Sequence, residues 1–146
     1  PRHDKIISSL KKMNVKLKLI SDGDVMGVIY VVDKNSPVDI YMGIGGAPEG
    51  VLAAAALSCY GGQIQTRLVL DENESNRAKK MGITDLKKKY NIEDMIKGDV
   101  IFCATGVTDG DLVKGIKNVN DSFIAETLVL HKSSKTNKIL KNQIKK

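Results

Sequence analysis

The sequence predicts an α/β fold, a three-layer α/β/α sandwich with a central mixed sheet, on three observations. Strand-like and helix-like segments alternate along most of the 146 residues. Residues 100–104, Val-Ile-Phe-Cys-Ala, are apolar throughout, as a central strand covered on both faces requires. Residues 43–56 pass from a glycine-rich turn into a run of Ala and Leu, the handover expected between a strand and a buried helix. The length suits a single domain over residues 1–146 with one core.

In chain order, Ile6, Ile7, Leu10 and Met13 fall at helical spacing, which predicts an amphipathic helix over residues 4–13. Residues 15–20 alternate Lys with Val and Leu and predict a strand. Ser21-Asp22-Gly23-Asp24 is a turn offering an N-cap for a helix over 25–32. Asn35-Ser36-Pro37 breaks that helix before an alternating strand at 38–42. The next helix runs over about 48–59, with Pro48 in its first turn and Gly61-Gly62 as its stop. Residues 63–70 alternate and predict a strand. Residues 71–90 are charged and loosely helical, breaking near Gly82 and restarting near Thr84. A short helix at 92–97 precedes the apolar strand at 100–104. Two further strands are expected at 122–131 and 136–140.

Aromatic residues are 4% of the chain and Trp is absent, so the core must be built from Ile, Val, Leu, Ala and Met. No apolar stretch approaches the roughly 18–20 residues of a membrane span, and no secretory signal is visible. Cys59 and Cys103 sit in apolar surroundings and read as buried free thiols of a reducing, cytoplasmic protein. The net charge of +6 is matched by Lys132, Lys135, Lys138, Lys141, Lys145 and Lys146, with no acidic residue among them. A basic end of this kind reads as a solvated tail or the open face of a last strand. Nucleic-acid binding would want aromatics interleaved with the basic residues, so neither nucleic acid nor a membrane is expected as a partner.

The glycine turn at 43–46 exposes backbone N–H groups at a helix start, a ready site for anions. Glu49 lies in that first helical turn and would repel a bare phosphate. A cation between the two makes this a metal-assisted phosphate site beside the pocket of neighbouring turns. Alternatively, Glu49 only complements the helix dipole, worth ~0.3–1 kcal/mol. A dinucleotide fingerprint does not fit, because the third glycine comes too late and Pro48-Glu49 takes the pyrophosphate position. Asp22-Gly23-Asp24 could meet sugar hydroxyls or a metal, or could serve as turn and cap. Thr108-Asp109-Gly110-Asp111 repeats the pattern after the apolar strand. The three turns could share one rim if their strands run parallel. Arg2 suits a phosphate, or is simply a terminal arginine. His3 and His131 lack a third partner at metal-ligand spacing and read as surface or strand residues. No Ser-His-Asp arrangement is apparent.

Taken together, Pro1-Arg2-His3, the run Ile20-Ser21-Asp22-Gly23-Asp24-Val25, the block from Met42 to Ala56, Ala104-Thr105-Gly106-Val107-Thr108-Asp109-Gly110-Asp111-Leu112 and Glu126-Thr127-Leu128-Val129 closely resemble the C-terminal part of class II fructose-1,6-bisphosphatase. That bacterial family belongs to the lithium-sensitive sugar phosphatases. The resemblance implies the C-terminal domain of a sugar-phosphatase fold and hydrolysis of the 1-phosphate of fructose 1,6-bisphosphate in gluconeogenesis, with Mn²⁺ or Mg²⁺. Carried over by position, it implies Glu49 as a metal ligand and Pro1, Arg2, Asp22, Gly23, Asp24 and Gly46 as substrate-binding residues. The second Asp-Gly-Asp turn receives no chemical role from it and is kept as structural.

The family's other metal carboxylates and its Asp-Pro-Ile-Glu-Gly-Thr-like motif belong to an N-terminal half, and this chain has no Asp-Pro dipeptide. The chain also starts without methionine. The expectation is therefore a piece of a longer phosphatase, inactive alone, partnered by that missing half and by the sugar bisphosphate, and homo-oligomeric when complete. A non-catalytic module holding a phosphosugar or nucleotide is the alternative, and a purely structural domain a third.

Overall fold

The computed structural model describes residues 2–20 and 23–146. In chain order the elements are α1 (Asp4–Lys12), α2 (Asp24–Ile29), α3 (Ala47–Tyr60), β1 (Thr66–Arg67), α4 (Glu72–Lys80), β2 (Lys89–Tyr90), α5 (Ile92–Met95), β3 (Ile101–Thr105), β4 (Lys117–Val119), β5 (Ser122–His131) and β6 (Thr136–Lys145). Helices and sheets thus share one α/β unit. β5 is the centre of a four-stranded sheet. β6 pairs along its whole length on one side, while β3 and β4 lie end to end on the other, opposite Thr127–His131 and Ser122–Ile124. A two-stranded ladder joins β1 to β2.

Every ladder among the described residues is antiparallel, where a partly parallel sheet is predicted. The segments that would have supplied parallel neighbours, 15–20 and 38–42, form no ladder. They stay open, with Val15, Leu19, Ile40 and Met42 exposed. Residues 63–70 do alternate between half-buried and exposed, but only Lys89–Tyr90 lies alongside, so two residues pair. β3 is an edge strand rather than the predicted central one. Its Phe102 is buried, whereas Ile101 is 70% exposed and Cys103 is exposed too. The helix expected to restart near Thr84 does not form. α4 begins instead where Asp71 and Glu74 make a reciprocal capping box, which satisfies two orphan donors.

The core lies between the inner face of the sheet and helices α2 and α3. Ile29 and Ala56 pack against Phe102, Leu128 and Leu130, and beside them Val28, Ala53 and Leu57 form a second cluster. The opposite face of the sheet is open, with Phe123, Leu140 and Ile144 partly or largely exposed. α1 is amphipathic yet buries no residue. The accessible surface of 10999 Å² is well above the about 7,400 Å² that compact monomers of 15.9 kDa show.

The turn from β5 to β6 is fastened to the start of β3. His131 Nε2 donates to Asp99 Oδ2 at 2.7 Å, Ser134 Oγ meets His131 Nδ1 at 2.7 Å, and Thr136 Oγ1 lies 2.6 Å from Ser134. A Ser-His-Asp chain is therefore present although sequence spacing gives no sign of it. The carboxylate faces Nε2 and the serine Nδ1, on an exposed turn, and the chain staples two strands together. Hydrogen bonds from Ser133, then from His131, hold the Asp99 carboxyl well below the usual carboxylate range.

Leu128 is 2% exposed, so Leu128→Ala is expected to cost about 2–5 kcal/mol in urea unfolding. Because the pKa of Asp99 is lowered in the folded chain, its contribution is present above the ordinary carboxylate range. It is lost as pH falls through and below that range. The urea midpoint should therefore drop more between pH 6 and pH 3 in the natural chain than in Asp99→Asn. Equal drops would remove this assignment.

Candidate functional site

The glycine turn at 43–46 is shaped by what crowds it. Gly46 caps α3 in an extended conformation, and Pro48 follows in the first turn. A β-carbon on Gly46 would collide with the Glu49 carboxylate, which folds back over the turn. A larger residue there would push the exposed Glu49 side chain off the turn. The helix end favours a negative charge here, since its first N–H groups carry partial positive charge. Glu49 itself is exposed to solvent.

Asp24 stands across the turn. It opens α2 after Gly23, whose φ of 80° lies in the left-handed region. The Tyr41 hydroxyl donates to Asp24 Oδ1 at 3.2 Å. A β-carbon on Gly45 would stand 3.1 Å from Asp24 Oδ2. Burial first, then the Asp24 charge, pushes the Tyr41 phenol up, while the Arg2 charge pulls it down. Arg2 thus acts electrostatically on the same corner. α2 is held close: a β-carbon on its Gly27 would lie 2.7 Å from Ile20 Cδ1 and 2.8 Å from Tyr41 Cε2.

His3 belongs to this site, not to the surface. The Ile44 N–H donates to His3 Nε2 at 2.8 Å, and the same nitrogen lies 3.2 Å from the Ile44 carbonyl oxygen. His3 is also the N-cap residue of α1. It therefore joins the first helix to the glycine turn across 41 positions of sequence. Nothing in local spacing could have signalled a contact that long.

Along the Gly27 face of α2 lies a cavity of about 250 Å³, lined by Lys18, Leu19, Ile20, Gly23, Met26, Gly27, Tyr30 and Asp111. The Tyr30 hydroxyl donates to the Asp111 carboxylate. Gly110 faces the Met26 thioether, and a β-carbon on it would stand 3.6 Å from that sulfur, in ordinary van der Waals contact. The turns at 23–24, 45–46 and 108–111 thus meet around α2, although no parallel strands bring them there. Glu49 and Gly46 do not line the cavity, so the carboxylate expected beside it sits instead over the glycine turn. Of the predicted site residues, Pro1 and Asp22 lie outside the described residues.

Glu49 and Asp24 are hard oxygen donors of the kind Mg²⁺ and Mn²⁺ take. Among the described residues, no three His, Cys, Asp or Glu side chains converge on a point that could enclose a metal. The donors fit such an ion in kind and fall short in number. Glu49 is open to solvent, and Asp24 already accepts from Tyr41.

Comparison with known proteins gives the family. The chain is similar to the class 2 D-fructose 1,6-bisphosphatase/sedoheptulose 1,7-bisphosphatase of Trichodesmium erythraeum, 37% identical over 150 residues, covering 93% of this chain and 44% of the relative. It is 36% identical over 151 residues to the class 2 fructose-1,6-bisphosphatase of Haemophilus influenzae, covering 93% and 45%. A Synechococcus protein with the double name is 36% identical over 149 residues, covering 92% and 43%. The chain therefore spans less than half the length of these curated relatives. Residues 1–144 match the family described as bacterial fructose-1,6-bisphosphatase, glpX-encoded, and the chain belongs to that family.

Proposed function

We propose that this chain is the part of a metal-dependent phosphoric monoester hydrolase that supplies substrate contacts and one metal ligand. The complete protein, on this reading, removes the 1-phosphate of fructose 1,6-bisphosphate in gluconeogenesis, leaving fructose 6-phosphate and phosphate. The observation that carries it is the Glu49 carboxylate folded over Gly46, with Asp24 across the same turn. Asp24 accepts hydrogen bonds from sugar hydroxyls, with Gly23 and Gly46 beside it, and Asp22 is a further substrate-binding residue. Arg2, beside Pro1, pairs with a phosphate through its planar donors. Glu49 takes one position on Mn²⁺ or Mg²⁺, which when bound offsets phosphate charge and supplies an activated water. Sedoheptulose 1,7-bisphosphate, one carbon longer, is a second candidate, since two of the relatives carry that name.

The remaining ligands come from the portion of the protein that corresponds to the unmatched length of the relatives. That portion, an N-terminal half, is also the natural third layer. It would cover the open face of the sheet around Cys103, Phe123 and Ile144, making the four-stranded sheet the middle of an α/β/α sandwich, mixed once segments 15–20 and 38–42 pair. The complete protein is read as cytoplasmic and homo-oligomeric, with no nucleic-acid or membrane partner.

Phosphate release from fructose 1,6-bisphosphate with Mn²⁺ tests the reading. The complete protein should turn over and the 146-residue chain should not. Glu49→Gln in the complete protein should lower turnover about 100-fold or more with folding intact, because even outer-shell partners of a bound metal are worth ~10–100-fold. Unchanged turnover would reduce Glu49 to a helix-dipole partner. Tight sugar bisphosphate binding by the 146-residue chain without metal would instead favour the non-catalytic module. For the third layer, a thiol reagent should label Cys103 readily in the folded chain and slowly in the complete protein. Equal rates would leave that face uncovered.

A further inference from the structure

We propose that Asp111 is a positioning residue: through the Tyr30 hydroxyl it fixes helix α2, and with it the Asp24 carboxylate that faces the glycine turn. The inference rests on the reading above in which Asp24 lines the sugar bisphosphate site. α2 has six residues, far below the roughly 12–15 at which an isolated helix becomes even marginal. Packing of Val28 and Ile29 seats it against α3 and the sheet, and the ties at its two ends pin its start and its C-cap. Asp24, its first residue, is tied to Tyr41. Tyr30, its C-cap, is tied to Asp111.

The loop that presents Asp111 is built to hold it still. Glu126 on the central strand grips both ends: its carbonyl accepts from Gly106 N–H at 3.1 Å, and its carboxylate accepts from Lys114 N–H at 2.9 Å. Inside the loop, Gly115 N–H donates to Asp109 Oδ1 at 2.9 Å and Gly110 N–H to Val113 O at 3.1 Å. Asp109 thus shapes the loop and Asp111 reaches out of it. The bond to Asp111, helped by burial, pushes the Tyr30 phenol up to about 12, so it stays a donor at any physiological pH. The second Asp-Gly-Asp turn then has a role: it anchors the helix that the first one starts.

The test is steady-state kinetics of the complete protein with fructose 1,6-bisphosphate and Mn²⁺, with thermal unfolding as a control. Tyr30→Phe and Asp111→Ala should each raise KM about tenfold, the scale of one hydrogen bond to a charged group, with kcat changed less than twofold. Asp111→Asn keeps an acceptor oxygen and should recover most of the loss. The double variant should be no worse than either single one, because both remove the same bond. KM unchanged in Tyr30→Phe and Asp111→Ala, with any loss of apparent kcat tracking the folded fraction, would overturn the proposal. Asp24→Asn separates the two ideas. If it leaves KM unchanged, the site reading fails; if it raises KM and Tyr30→Phe does not, only the anchoring role fails.

Discussion

The contact between the small-residue faces of α3 and the two elements beside it sets the rest of the structure. Ala56 meets Phe102, Leu128 and Leu130 on the sheet, while Ala53 and Leu57 meet Val28 on α2. Short side chains let the helix axis approach both neighbours closely, and each buried methyl removes apolar area from water at about 25 cal/mol per Å². One rigid helix therefore fixes α2 and the sheet at once. Its N-terminus, where Gly46 and Glu49 sit, is held by the same contact. Packing and site are one construction here.

That construction explains why the three turns converge with no parallel ladder among the described residues. α2 is pressed between Ile20 and Tyr41 at Gly27, and it buries Val28 and Ile29 on the opposite side. Its start carries Asp24 toward the glycine turn and its end carries Tyr30 toward Asp111. A helix this short acts as a spacer whose length sets the distance between two aspartate turns. His3 adds a third hold by accepting from Ile44 in the glycine turn itself.

The parts of the fold written in local spacing were legible in the sequence. α1, α3 and β5 follow from periodicity and from the Pro48 and Gly61 signals, and β6 was placed with its C-terminal end short, because its exposed lysines mimic a tail. What was not legible depends on neighbours. Residues 15–20 and 38–42 have the alternation of strands, but a ladder needs a second strand, and here none lies alongside. The apolar run of β3 implies cover on both faces, yet only one face is covered among these residues. The glycine turn with Glu49 stood out because its chemistry is local. The His3–Ile44, Tyr30–Asp111 and His131–Asp99 ties span 41, 81 and 32 positions, and no pattern of spacing encodes them.

Charge around the glycine turn limits what can bind there. Asp24 and Glu49 both direct carboxylate oxygens at the glycine turn from opposite sides. Two negative groups around a helix start are tolerable there because the first N–H groups and the nearby Arg2 charge oppose them. A phosphate ester arriving at the same turn would add further negative charge that these partial charges could not offset. A divalent cation changes the sign of that balance, and open carboxylates on an exposed turn are what such an ion needs to find on one side of its shell. Among the described residues no third His, Cys, Asp or Glu side chain joins Asp24 and Glu49 there.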